Sequence, residues 1–207
     1  MPPARILTAR LNFLPVTGSL RVKAHVSITT QQLYEQTLVL RSQIGDEAAF
    51  RELLELYGPH LLSFTRKMIE SPQTVDDLTQ EIWVAIYRGL PSLLEAGKFR
   101  PWAFRIARDR IYREYRRRKI IVQPLNEDEL EALPRNEETS VMMEAGELQQ
   151  SLGLITPDQR EVLVLRFFEE MSYEEIARVT GCTLGTVRSR IHYAKRALKN
   201  AVERKIT

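Results

Sequence analysis

The feature that most constrains this chain is a single glycine set between two capped helical patterns. Ser172 precedes Glu175 by three residues, a spacing that lets each side chain cap the other's backbone amide. Ile176, Ala177 and Val179 follow as a short apolar face, and Gly181 stands where a helix ends cheaply in a left-handed conformation. Thr183 then offers an N-cap hydroxyl. Beyond it Val187, Ile191, Ala194 and Leu198 recur at helical spacing, while Arg188, Ser189, His192, Lys195, Arg196 and Lys199 occupy the other side. A short helix, a glycine turn and a longer basic helix make a helix-turn-helix, whose second helix enters a major groove and reads base edges near its N-terminus. The plain alternative, a hairpin with a solvated basic face, leaves the agreement of caps, turn and charge unexplained.

The charge distribution carries the argument further than its total. The formal net charge is only +3. Yet Lys98 to Lys119 holds ten Lys and Arg against Asp109 and Glu114, and Leu184 to Lys205 holds seven against Glu203. Between them, Leu125 to Glu147 holds eight acids against Arg135. Two basic blocks flanking an acidic one indicate two polyanion-binding surfaces.

Helical periodicity runs from Thr30 to about Arg118, with no competing strand pattern. Leu33, Leu40 and Ile44 share one face of a first helix. A second begins with Asp46 as cap and ends at Gly58; a third starts at Pro59, where proline is tolerated in a first turn. A fourth opens with Ser71 and Pro72 and buries Val75, Leu78, Ile82, Ala85 and Ile86. The loop "PSLLEAGK" leads to "FRPWAFRIARDRIYREYRRRK". There Trp102, Ile106 and Ile111 can face a core, Arg105, Arg108, Arg110, Arg113, Arg116, Arg117 and Arg118 cover much of the rest, and Tyr112 and Tyr115 offer stacking surfaces for unpaired bases.

The expected fold class is all-α: two small helical domains joined by an acidic linker, the C-terminal one a helix-turn-helix. Residues 1–29 read as a flexible extension, 30–119 as the first domain, 120–140 as the linker with Pro124 and Pro134, and 141–207 as the second domain. A single cysteine, Cys182, permits no internal disulfide, and no apolar run approaches a membrane span, so a cytoplasmic protein without membrane insertion is expected. His25, His60 and His192 are scattered, with no metal-ligand spacing, phosphate-cradling glycine loop or activated nucleophile. Neither an enzyme nor a cofactor is expected.

Five segments, in order, resemble the sigma factors of bacterial RNA polymerase, of the compact extracytoplasmic-function class. "GDEAAFRELLELYGPHLL" (45–62) resembles the opening of the sigma-2 domain, and "TVDDLTQEIWVAIYRGL" (74–90) its acidic helix that docks on the polymerase clamp. "FRPWAFRIARDRI" (99–111) resembles the segment around the promoter −10 element. "ITPDQREVLVLRFFEEMSYEEIA" (155–177) is similar to the start of the sigma-4 domain, and "GTVRSRI" (185–191) to its −35 recognition helix. The resemblance covers roughly residues 30–205.

It implies that Asp76, Asp77, Gln80 and Glu81 contact the clamp helices of core RNA polymerase, with a further contact on its flap. Residues 90–100 correspond to the loop that captures a flipped −10 base. Lys98, Phe99, Arg105, Arg108, Asp109, Tyr112, Arg113, Arg116 and Arg117 would engage the −10 element. Thr186, Arg188, Ser189, His192 and Tyr193 would face the −35 element, with Arg190, Lys195 and Arg196 holding phosphates. The acidic linker would thread the polymerase near its template channel. An anti-sigma factor would cover both surfaces. Two departures stand out: Asp109 where the family often has Asn, and Tyr193 where a basic residue is frequent. The alternative is a stand-alone helix-turn-helix regulator that binds duplex DNA without polymerase.

Overall fold

The structure is a computed structural model that describes residues 29–118 and 151–206. The expected linker, and the expected N-terminal extension up to residue 28, lie outside the described residues. Every described element is helical. Thr29, placed in the extension by sequence, is instead the N-cap of α1 (Thr30–Gln43), in a reciprocal capping box with Gln32. The apolar stripe Leu33, Leu40 and Ile44 faces solvent, and the helix buries Leu38 and Val39. Periodicity identifies a stripe, but a helix this short carries two candidates and the neighbour decides between them.

α2 (Glu47–Met68) begins at the expected cap, Asp46, whose carboxylate accepts from the Ala49 amide. It does not stop at Gly58. Pro59 lies inside it, because the buried row Leu53, Tyr57, Leu61, Phe64 and Met68 continues across the proline. The lost donor belongs to exposed Pro59, and its former acceptor belongs to exposed Glu55, so water can meet that carbonyl. α3 (Pro72–Gly89) buries Val75, Leu78, Ile82 and Ile86 as expected; Ala85 is half-buried. Ser71 occupies its N-cap position but makes no side-chain cap bond, accepting instead from the Thr74 hydroxyl at 3.1 Å. The loop that follows contains two 3-10 turns, Leu90–Ser92 and Ala96–Lys98. α4 (Phe99–Arg117) closes the first half, with Phe104 edge-on to Phe64 at 5.4 Å between ring centres.

In the second half, α5 (Pro157–Leu163) is capped by a Thr156–Gln159 box and runs into a π turn, Val164–Phe168. α6 (Tyr173–Thr180) has the expected Ser172–Glu175 box and ends at Gly181 with φ of 72°. α7 (Leu184–Ile206) starts behind Thr183, which accepts from the Thr186 amide at 3.2 Å. Val187, Ile191 and Ala194 are buried against α5 and α6.

The two halves pack on each other: α4 lies against α6, and α2 against α5 and the π turn. Polar groups tie the seam. Tyr112 Oη on α4 donates to Asp158 Oδ1 at 2.5 Å and lies 2.9 Å from Glu161 Oε2, both on α5. Arg160 Nη1 donates to the Met68 carbonyl at 3.2 Å, and Tyr115 Oη donates to the same carbonyl. Arg100 donates to the Glu169 carbonyl, while His60 Nδ1 sits 2.9 Å from Glu169 Oε2.

Candidate nucleic-acid interface

α4 follows from its sequence as a helix with two kinds of face. Pro101, Phe104, Ala107, Ile111 and Tyr115 repeat at steps of three and four and fill the seam and core. Arg105, Asp109, Arg113, Arg116 and Arg117 fall on the far side and are exposed. The proposed −10 residues therefore divide. Lys98 is half-buried just before α4, ion-paired with Glu95. Phe99 is only 2% exposed, stacked edge-on against Tyr57 at 5.0 Å, so it is a core ring and not a surface for a base. Tyr112, at 7% exposure, and Tyr115 are likewise buried, correcting the expectation of open stacking platforms. Arg108 lies over the Tyr112 ring at 4.3 Å and 2.8 Å from Glu161, although its N–H is not aligned on that oxygen. Aromatic rings interleaved with arginines carried the sequence expectation, but the same rings suit a helix that is covered on one side.

The exposed arginines are held in different ways. Arg117 makes a two-pronged bond to Glu114 at 2.7 and 2.8 Å, and Arg118 adds a third contact at 2.5 Å. The Arg117 hydrogen bonds chiefly, and Arg118 after them, hold the Glu114 carboxyl down at about 2 against the opposing effect of its burial. Glu114 thus restrains a cluster of like charges that would otherwise repel. Arg110 reaches Glu81 of α3 at 3.7 Å. Exposed Asp109 lies 3.9 Å from Arg108.

The loop before α4 is braced from α1. Gln43 Nε2 donates to the carbonyls of Leu90 and Leu93 at 2.9 and 2.7 Å. A Cβ on Gly97 would meet the Gln36 amide at 3.0 Å, so the loop and α1 fit closely there. The brace leaves Leu94 98% exposed at the loop's tip. Sequence reasoning passed over both Leu94 and Gln43; a leucine among turn residues was the available signal for the first, and nothing local marks the second.

On α7, Arg188 and Arg196 are exposed, and Thr186, Arg190, His192, Tyr193 and Lys195 are half-buried. Lys195 lies 5.2 Å from the Phe167 ring centre, and His192 meets Tyr193 edge-on at 5.5 Å. Ser189 is 3% exposed and its hydroxyl donates to the Thr186 carbonyl at 3.0 Å. It is buried, so its expected place at the base edges is corrected. Two residues from both Val187 and Ile191, Ser189 falls about opposite their stripe on the helix, so the α7 pattern alone does not report its burial.

Asp76, Asp77, Gln80 and Glu81 are all exposed on α3. Val84 and Tyr87, which sequence reasoning missed, extend that side as exposed apolar residues. The steps from Asp77 to Gln80, Val84 and Tyr87 keep all four on one outward stripe. α3 therefore presents acids beside an apolar strip, a combination suited to a protein partner rather than to DNA. Among the described residues no helix is long and apolar enough to cross a membrane, and no group of three or more His, Cys, Asp or Glu could hold a metal.

Comparison with known proteins matches these segments. Residues 53–120 match the family model for sigma-70 region 2, and residues 145–198 that for sigma-70, region 4. The chain is 32% identical to the ECF RNA polymerase sigma-E factor of Escherichia coli (strain K12), over 84% of this chain and 97% of that protein. It is also 32% identical to the RNA polymerase sigma-H factor of Pseudomonas aeruginosa, over 83% and 95%. Among solved structures it is similar to CnrH in complex with the cytosolic domain of CnrY, with a TM-score of 0.64 and 25% identity, covering 82% of this chain and 97% of that one. It is also similar to the sigma factor RpoE in complex with the anti-sigma factor NepR from Bartonella quintana, with a TM-score of 0.60 and 25% identity, covering 74% and 96%. With both halves matched and a 32% identical relative covered over nearly its whole length, the chain belongs to the sigma-70 family of RNA polymerase sigma factors, in its extracytoplasmic-function class.

Proposed function

We propose that each promoter-directed task of this sigma factor rests on one element: α3 docks on the clamp helices of core polymerase, the 90–98 loop and the exposed arginines of α4 meet the −10 element, and α7 reads the −35 element. One observation carries the reading. The exposed acids of α3 and the exposed arginines of α4 and α7 are on separate helices, α3 and α4 within the residues matched to sigma-70 region 2 and the arginines of α7 within those matched to region 4. On α7, Arg188 is the fifth residue, near the N-terminal end from which a recognition helix reaches base edges, and Arg196 about two turns later suits a phosphate. On α4, Arg105, Arg113 and Arg116 supply cations at helical spacing, and Leu94 supplies an apolar tip against an unstacked base.

The chain itself carries no chemistry in this reading; polymerase does, and this subunit selects where. It acts in the cytoplasm, where polymerase and promoter are. An anti-sigma factor restrains it, a reading supported by two structural relatives solved with CnrY and with NepR.

The test is run-off transcription with core polymerase on a genomic promoter library, with and without this protein. Discrete new start sites that depend on the protein are expected, and aligning them yields both elements. No added transcripts, together with specific duplex binding by the protein alone, would establish a stand-alone regulator instead.

A further inference from the structure

We infer that residues 1–28 of this chain dock on the outer face of α1, which is apolar along its centre and acidic along one edge. This docking is independent of the promoter reading.

α1 buries Leu38 and Val39, yet it also carries four large apolar side chains in solvent. Leu33 and Leu40 are more than half exposed, Ile44 is 86% exposed, and Tyr34 stands beside them. Steps of seven and four residues put Leu33, Leu40 and Ile44 on one line along the helix, away from Leu38 and Val39. Thr37 falls on the same line. Its hydroxyl donates to the Leu33 carbonyl at 2.8 Å, which leaves its methyl to continue the strip. Single apolar side chains on a surface are ordinary, but a strip along one helix marks a place where another segment sits.

The edge of this strip is acidic. Tyr34 Oη donates to Glu52 of α2. That hydrogen bond chiefly, and more weakly the charge of Glu55, raises the Tyr34 hydroxyl above its ordinary value, so both carboxylates border the strip. From Thr29 to Glu55 there are five acids against Arg41 and Arg51, and Arg41 is already paired with Asp46 at 2.7 Å. Such a surface repels DNA and selects an apolar segment with basic residues.

Residues 1–28 meet both requirements. They carry Arg5, Arg10, Arg21 and Lys23 and no acid, with Ile6, Leu7, Leu11, Phe13 and Leu14 gathered in their first half. They are also tied to the right place, since residue 28 adjoins Thr29, the N-cap of α1. The 14 residues of α1 span about 21 Å, a length that about seven extended residues cover. Twenty-eight residues therefore suffice to turn and run back along the strip. The tether holds them at an effective concentration on the order of millimolar, which favours them over a second copy of the chain.

Limited trypsin digestion of the full chain tests this, with cleavage after Arg10, Arg21 and Lys23 followed by mass spectrometry. A synthetic peptide of residues 1–28 gives the reference rate. Docking should slow these cleavages about tenfold relative to the peptide, as for a segment that is free about a tenth of the time. Leu40→Gln/Ile44→Gln removes the apolar strip with a good helix former and should restore the peptide's rate. Cleavage of wild type at the peptide's rate would overturn the docking. So would protection that persists in the double variant, which would place the segment elsewhere, or protection that grows with protein concentration, which would make the occupant a second copy. Should the double variant lose its helical circular dichroism, Ile44→Gln alone decides: a partial return toward the peptide's rate supports the docking, and none overturns it.

Discussion

Arg188 stands exposed on α7, one residue beyond buried Val187 and one before buried Ser189. Its guanidinium can make a two-pronged bond to a guanine edge. Arg188→Ala is expected to cost about 1–3 kcal/mol on the preferred −35 sequence and to relax discrimination at one base pair. Binding of duplexes substituted through the −35 element checks this; equal weakening on every duplex would assign Arg188 to phosphate. Ser189→Ala is expected to leave discrimination unchanged, since its hydroxyl is spent on the Thr186 carbonyl. These two neighbours mark what was legible. The apolar stripe of α7 was readable from spacing, and so was the outward direction of Arg188. The burial of Ser189 was not, because two residues from Val187 and from Ile191 it lies off that stripe. Tyr112 is different: its burial depends on α5, some 46 residues away, and no local period reports a partner that distant.

At the scale of elements, caps were read correctly except for the side-chain bond expected of Ser71, and the glycine misread was Gly58, beside Pro59. Asp46, Thr183, the Ser172–Glu175 box and left-handed Gly181 are all in place. Pro59 misled because its local effect is outvoted by the apolar row of α2. Gly181 gives a test of the turn. Its φ is 72° and an added Cβ would meet nothing within 4 Å, so Gly181→Ala carries a conformational penalty without a clash. That penalty is about 1 kcal/mol. A lowered denaturant midpoint with unchanged −35 affinity in native buffer is the expected outcome; a loss of affinity would mean that the turn also sets the angle of α7. The loop on which Leu94 stands has its own brace. Gln43→Ala removes two hydrogen bonds to the Leu90 and Leu93 carbonyls, and is expected to weaken −10 selectivity while leaving −35 binding intact. Binding of −10 oligonucleotides with single substitutions checks it; unchanged selectivity would show that the loop holds its form without α1.

At the scale of the molecule, the arrangement of the halves couples to protons. Burial raises the Glu161 carboxyl to about 7, against the opposing pull of Arg108 and the Tyr112 hydrogen bond, with Asp158 adding to the rise. The groups facing it are Arg108, Tyr112 and Tyr115 from α4, and Asp158 and Arg160 from its own helix. Parting the halves returns Glu161 to water and to an ordinary carboxylate value. The closed form therefore binds more protons than the open form between the ordinary carboxylate range and about 7. The resulting stabilisation of the closed form is fully present below that range and is lost as pH rises through about 7. One proton changes the closed-to-open ratio by at most about tenfold per pH unit. The distance between spin labels at Glu55→Cys and Lys199→Cys, in a Cys182→Ser background, should thus shift toward longer values from pH 5 to pH 8. Glu161→Gln, which cannot titrate, should flatten that dependence. A wild-type distance that does not change across this range would mean that Glu161 keeps its ordinary acidity in the seam, with Arg108 fully offsetting the cost of burial.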